Sequence, residues 1–167
     1  MHRTPLVIIA LGSNLDHRRR NVVRAMDRLQ DLADGTMLRS SLWETAPVDC
    51  PPLSASFVNA VVGFTPRAGE SPESLLARLQ ELEREFGRRP KQVVNEARPM
   101  DLDLITFGQE RRCQEGLILP HPRAQERRFV LQPLSEIAPD LVLPGQSQSV
   151  AQLLAQLPPD QMMRKLA

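Results

Sequence analysis

The 167 residues predict an α+β fold whose antiparallel sheet carries helices on both faces. Three observations lead there. An apolar run near the N-terminus ends in Gly-Ser-Asn. Strand and helix periodicities then alternate in the order strand, helix, strand, strand, helix, strand. Further apolar segments follow residue 107, with only the second face of the same sheet left to pack on.

Leu6 to Leu11 is continuously apolar and closed by Gly12-Ser13-Asn14, the mark of a strand buried on both faces that ends in a turn. Val22, Met26, Leu29 and Ala33 recur along one stripe of a helix, with Gly35 where a left-handed C-terminal cap belongs. Arg18, Arg19 and Arg20 oppose the dipole in its first turn and read as a solvated face. Thr36 to Trp43 predicts the second strand and Phe57 to Phe64 the third. Between them, Glu44 to Ser56 with Pro47, Pro51 and Pro52 is a loop too long for a plain hairpin; loops of that length tend to be functional or disordered, and the functional reading is favoured.

Ser71-Pro72-Glu73 supplies an N-cap, an N1 proline and an early acidic residue, Leu75, Leu79, Leu82 and Phe86 the buried stripe, and Gly87 the end of a second helix. Arg88 to Arg98 is polar, basic and without period, and Met100 to Phe107 alternates as a fourth strand. This order is the split βαβ arrangement of a ferredoxin-like βαββαβ core. Pro120 to Arg128 suggests a turn and short helix, Phe129 to Leu134 an apolar segment, and Val150 to Leu157 a last short helix. No repeat or linker divides the chain, which predicts a single domain over 1–167.

A formal net charge of +1 gives no general attraction to nucleic acid or acidic membranes, so neither is an expected partner. Cys50 and Cys113 form no C-x-x-C pattern, which argues against a disulfide scaffold or zinc site and fits a reducing cytoplasm. The first apolar run is too short to span a bilayer and no cleavage site follows it. A monomer is expected.

In a strand from Met100 to Phe107, alternate side chains share a face, so Asp101 and Asp103 converge while Met100, Leu102 and Leu104 enter the opposite, apolar layer. Paired carboxylates repel unless a cation neutralises them, and magnesium ions would do so while bridging to phosphate oxygens. The bland alternative is an acidic solvent face. Cations flank the pair on both sides, Arg88, Arg89, Lys91 and Arg98 before it and Arg111, Arg112, Arg123, Arg127 and Arg128 after it, the mixture of charge that a metal-nucleotide site requires. Pro120-His121-Pro122 fixes a histidine able to donate to a phosphoryl oxygen. With 4% aromatic residues and no tyrosine, Phe57, Phe129 and Trp43 are the surfaces on which a flat heterocycle could stack, and Asn59, on the same strand face as Phe57, offers both donor and acceptor to its edge. Core packing is the competing explanation for each ring. A sheet of this order also serves RNA-binding modules, but those carry paired strand aromatics and a basic surface that this sequence lacks.

Leu11-Gly12-Ser13-Asn14, Trp43-Glu44-Thr45-Ala46-Pro47, Phe57-Val58-Asn59-Ala60, Arg98 to Ile105, Pro120-His121-Pro122 and Arg127 to Leu131 occur in an order that resembles the 6-hydroxymethyl-7,8-dihydropterin pyrophosphokinase family over nearly the whole chain. The resemblance implies transfer of diphosphate from ATP to the pterin hydroxymethyl group in folate biosynthesis. It further implies two Mg2+ ions, direct attack on the β-phosphorus and release of AMP. It implies that Asp101 and Asp103 bind metal and that Arg88 and Arg98 join them in catalysis. Gln80, Glu83, Arg88, Arg98, His121 and Arg127 would bind ATP, and Thr45, Val48, Phe57, Asn59 and Phe129 the pterin. Family members commonly carry an Arg-Trp-Gly-Pro-Arg-Thr run before the aspartates, where this chain has Asn95-Glu96-Ala97-Arg98-Pro99, and a second arginine two residues beyond Arg88, where it has Pro90. Altered loop closure with the reaction retained is the expectation.

Overall fold

A computed structural model describes residues 6–14, 17–45, 56–87, 100–158 and 163–166. The elements in chain order are β1 (Val7–Ser13), α1 (Arg18–Gln30), β2 (Leu38–Arg39), β3 (Trp43–Thr45), β4 (Phe57–Phe64), α2 (Pro72–Glu85), β5 (Asp101–Phe107), β6 (Arg112–Gln114), β7 (Leu117–Leu119), α3 (Arg128–Ile137), α4 (Val150–Gln156) and β8 (Met163–Lys165). The main sheet runs β5-β1-β4-β3-β8 with β2 also on β4, and every pair is antiparallel. With β2 and β3 counted as one interrupted strand, this is the predicted ferredoxin-like core, extended at one edge by the C-terminal strand.

The central position of β1 follows from its composition. All seven of its residues are buried, as expected of a strand covered on both faces. Val7, Ile9 and Leu11 join Val58, Ala60, Val62, Leu102 and Leu104 under α1 and α2, whose Val22, Met26, Leu29, Leu75, Leu79 and Leu82 close that core. Ile8, Ala10, Val61 and Ile105 face the other way, against Val130, Leu131 and Leu134 of α3 and Val150 and Leu153 of α4. Both faces are thus covered by helices, as predicted. Among the described residues no helix is long and apolar enough to cross a membrane.

Several boundaries differ from the predicted ones for local reasons. Helix α1 stops at Gln30, five residues before Gly35. The Gln30 side chain donates to the Gly35 carbonyl and accepts from the Met37 N–H, so a side chain closes the turn that Gly35, at φ 85°, completes. Of the three arginines opening α1, Arg19 and Arg20 are exposed as expected, but Arg18 lies 3.5 Å from the Glu44 carboxylate. Phe129 to Leu134 is part of α3, which accommodates Pro133 within it. Helix α2 begins as predicted, with the Ser71 hydroxyl accepting from the Ser74 N–H and the Ser74 side chain answering it.

The predicted second strand is two. Leu38 and Arg39 pair with Gly63 and Val62, whereas Trp43 pairs with Asn59, so residues 40–42 stand opposite residues 60–61. One extra residue makes a bulge, which bends the strand and frees its groups from the ladder. Ser40 bridges it, donating its N–H to the Val61 carbonyl and accepting the Val61 N–H on its hydroxyl.

Leu131 is fully buried between α3 and the sheet. Leu131→Ala is expected to cost about 2–5 kcal/mol, the range for truncating a packed core leucine, as measured by urea denaturation. A loss under about 1 kcal/mol would mean that the α3 face is not a packed core.

Candidate active site

The candidate groups lie on the face of the sheet that α3 and α4 cover, at the end those helices leave open. Directly paired residues in an antiparallel sheet share a face. The register Asp101↔Gly12↔Asn59↔Trp43↔Lys165 therefore sets one row of side chains across five strands. Asp103↔Ala10↔Val61 forms the next row inward, and Phe57↔Thr45↔Met163 the row outward. At about 4.8 Å between strands, Asp101 stands roughly 10 Å from Asn59, with glycine between them.

Asp101 and Asp103 are both half-buried, and Met100, Leu102 and Leu104 are buried in the opposite layer, as the alternation predicts. Two carboxylates on one face offer hard oxygen donors suited to magnesium. Among the described residues no group of three or more His, Cys, Asp or Glu side chains could hold a metal by itself, so substrate oxygens or water would complete any coordination there.

A second bulge positions the histidine. Ile8 pairs with Thr106 and Ile9 with Leu104, which leaves Ile105 unpaired in the ladder. Its carbonyl accepts the His121 N–H at 2.9 Å, docking the segment after β7 onto β5 beside the carboxylates. The imidazole Nδ1 accepts from the Arg123 N–H at 3.3 Å, so in the neutral ring the proton sits on Nε2 and can be donated outward. Burial, joined by the Arg127 and Arg123 guanidiniums, pushes the imidazole below its ordinary pKa against the opposing pull of Asp101. Those interactions place His121, Arg127 and Asp101 within one electrostatic neighbourhood.

Arg127 caps α3 without a side-chain hydrogen bond, and its guanidinium lies 5.4 Å from the centre of the Phe129 ring. Phe129 is half-buried against the α3 core, so core packing takes part of the ring. On the other flank, Thr45 donates to the Asn59 Oδ1 at 2.8 Å, both residues being buried. That bond assigns the amide, leaving Nδ2 over Gly12, where an added Cβ would come within 3.0 Å of it and 3.8 Å of the Phe57 ring. Gly12 is the floor of the trough. Its importance was available from the rule that glycine inside a buried strand marks a close approach.

Glu83 is buried on α2 and accepts the Leu102 N–H at 2.9 Å, tying the helix to the outer edge of β5. Gln80, one turn earlier, is exposed. Arg88, Arg98 and Val48 lie outside the described residues. Trp43 does not present a free indole: its Nε1 donates to Glu136 of α3 at 2.8 Å. Glu136 has no signature in the sequence, because nothing about a glutamate near a helix end announces a partner 93 positions away.

The comparisons with known proteins point to one class, the pyrophosphokinases. A family model for 7,8-dihydro-6-hydroxymethylpterin-pyrophosphokinase matches residues 8–139, and the chain belongs to that family. The Haemophilus influenzae 2-amino-4-hydroxy-6-hydroxymethyldihydropteridine pyrophosphokinase is 36% identical over 157 residues, covering 93% of this chain and 95% of that one. The Bacillus subtilis enzyme of the same name is 39% identical over 133 residues, covering 79% and 77%. Longer relatives match as well: the chain spans 19% of the folic acid synthesis protein fol1 of Pneumocystis carinii, at 38% identity over 87% of its own length. It spans 26% of a folate synthesis bifunctional protein of Arabidopsis thaliana. Among solved structures, Plasmodium falciparum HPPK-DHPS crystallised with pteroate superposes with a TM-score of 0.71 at 13% identity, over 93% of this chain and 43% of that one, a likeness of fold.

Gly12→Ala is expected to push the Asn59 amide off its Thr45 bond and destabilise by about 1–3 kcal/mol, as overpacking does. Urea denaturation checks the magnitude, and an unchanged Asn59 side-chain amide signal by NMR would count against it. His121 yields a pH effect of definite sign. The unfolded chain takes up the histidine proton near pH 6.5, before the folded one does. Stability from this group is therefore full above about pH 6.5 and falls as pH drops toward the lower folded value. In His121→Gln the drop in urea midpoint from pH 7.5 to 5.5 should be smaller than in wild type; equal drops would contradict the assignment.

Proposed function

We propose that this chain transfers diphosphate from ATP to 6-hydroxymethyl-7,8-dihydropterin and releases AMP, a step of folate biosynthesis. The observation that carries the reading is the row Asp101–Gly12–Asn59 with Asp103 in the row beside it, which sets two carboxylates and a buried amide on one face with an open floor between them. Family membership and the names of the relatives support the same reaction.

In this reading the pterin lies beside Asn59, whose position is set by Thr45, with its ring between Phe57 and Phe129 and with Val48 at the margin. The triphosphate lies over β5. His121 donates Nε2–H to a phosphoryl oxygen, and Arg127 adds charge at the start of α3, where its side chain makes no cap hydrogen bond and the helix N-terminus also favours an anion. Arg88 and Arg98 complete the cationic side. Gln80 and Glu83 border the nucleotide, Glu83 chiefly by holding β5 in place. Two Mg2+ ions held by Asp101 and Asp103 would neutralise phosphate charge as the hydroxymethyl oxygen displaces AMP from the β-phosphorus. The protein's own share is alignment and charge placement, and no described side chain is needed as a covalent participant.

A single domain over residues 1–167, acting as a monomer in the cytoplasm, completes the proposal; both cores share one sheet, which favours one folding unit.

Incubation with magnesium, ATP and the pterin should produce AMP in step with pterin diphosphate. Asp103→Asn should lower turnover on the order of 100-fold or more while leaving the Tm nearly unchanged, because the side chain is half-exposed and its job is charge. A variant retaining most of the activity would remove the metal role, and wild-type protein producing ADP or no nucleotide product would remove the reaction.

A further inference from the structure

Glu136 collects four contacts from two strands. Its Oε1 accepts from the Ser41 N–H at 3.1 Å and from the Trp43 indole N–H at 2.8 Å. Its Oε2 accepts from the Ser41 hydroxyl at 2.7 Å and lies 3.6 Å from the Lys165 ammonium of β8. The Ser41 N–H is available because the bulge at residues 40–42 removes it from the ladder. Burial raises the Glu136 carboxyl, but the hydrogen bonds from Ser41 and Trp43 and the charge of Lys165 outweigh it and hold the group below its ordinary value.

The two elements joined there both lead to the candidate site. Two residues after Trp43, Thr45 makes the bond that orients Asn59. Helix α3 starts beside His121 and Arg127, carries Phe129 in its first turn, and ends over β3. Strand β3 is only three residues long and lies between β4 and the equally short β8, so few ladder bonds fix it, and sparsely bonded elements are the least constrained part of a sheet. Its placement needs an external anchor, and Glu136 is the described side chain that supplies one from α3.

We infer that Glu136 is a positioning residue for the acceptor side of the reaction: it sets the distance between α3 and β3, and so the width of the slot between Phe129 and the Thr45–Asn59 pair that receives the flat heterocycle. The inference rests on the proposed pterin site. It assigns to Glu136 no contact with substrate. A carboxylate is suited to the task because one group accepts several N–H and O–H donors at once, and charged acceptors make the stronger bonds.

The sequence contains one tryptophan, so intrinsic emission reports Trp43 alone. Wild type, Asn59→Ala, Glu136→Gln, Glu136→Ala and Trp43→Phe would be compared in pterin titrations, steady-state kinetics, Trp43 emission and thermal melts. The amide variant keeps the shape and one of the two acceptor oxygens, so it stands in if the alanine variant does not fold. Glu136→Ala should raise the pterin KM about tenfold, with kcat and the ATP KM within about twofold, the signature of lost ground-state positioning. Its Trp43 emission should shift to the red, and Glu136→Gln should show a smaller change of the same kind. Trp43→Phe should raise the pterin KM in the same sense, and combining it with Glu136→Ala should add little, because both act through one contact. If pterin binds wild type and is lost in Asn59→Ala while both Glu136 variants keep wild-type KM values, the inference fails and the site stands. Equal rises in both substrates' KM would make Glu136 a general structural residue and also overturn it. Failure of wild type to bind the pterin would remove the site and the inference together.

Discussion

The register of β1 between β4 and β5 is the constraint from which the site follows. Because side chains in a strand alternate with a period of two, sliding β5 by one residue would send Asp101 and Asp103 into the core under α1 and α2 and bring Leu102 and Leu104 out. Burying two carboxylates without partners is costly enough to forbid it. The same hydrophobic pattern that folds the sheet therefore also faces the acidic pair toward the open trough. Gly12 holds the trough open, since an added Cβ would crowd the Asn59 amide at 3.0 Å.

Two bulges then adjust what regular pairing cannot. At Ile105 the ladder skips a residue and its carbonyl receives His121. At residues 40–42 it skips another and Ser41 turns to Glu136. Each bulge releases a backbone group that captures a segment from the second layer, so α3 is tied to β3 through Glu136 while the segment leading into it is tied to β5 through His121. A net charge of +1 conceals a local separation of sign, with His121 acted on by the Asp101 carboxylate from β5 and by the guanidiniums of Arg123 and Arg127. A local separation of sign of this kind creates a field that the net charge does not reveal.

Much of this was legible beforehand. The third strand, the Ser71-Pro72 helix start and the facing of Asp101 and Asp103 follow from periodicity and caps, which depend on residues a few positions apart. The split of the second strand was not, because it depends on Ser40 answering Val61 across the sheet. The end of α1 was misplaced because Gln30 closes the turn that Gly35 alone was expected to close. Strand β8 escaped notice because its residues become a strand only by pairing with β3. The bond from the Trp43 indole N–H to Glu136 has no sequence signal either, since its partner lies 93 positions away.

The sequence alone gives the helices and strands of the βαββαβ core, which residues are apolar on which face, and Asp101, Asp103, His121 and Asn59 as candidates. Those properties are local, set by backbone sterics and the hydrophobic effect over a few residues. Only the tertiary structure decided that Gly12 separates Asp101 from Asn59, that His121 seats on Ile105, and that Glu136 joins α3 to β3. These are relations between residues distant along the chain, and they exist only after the sheet has chosen its register and the second layer has closed on it.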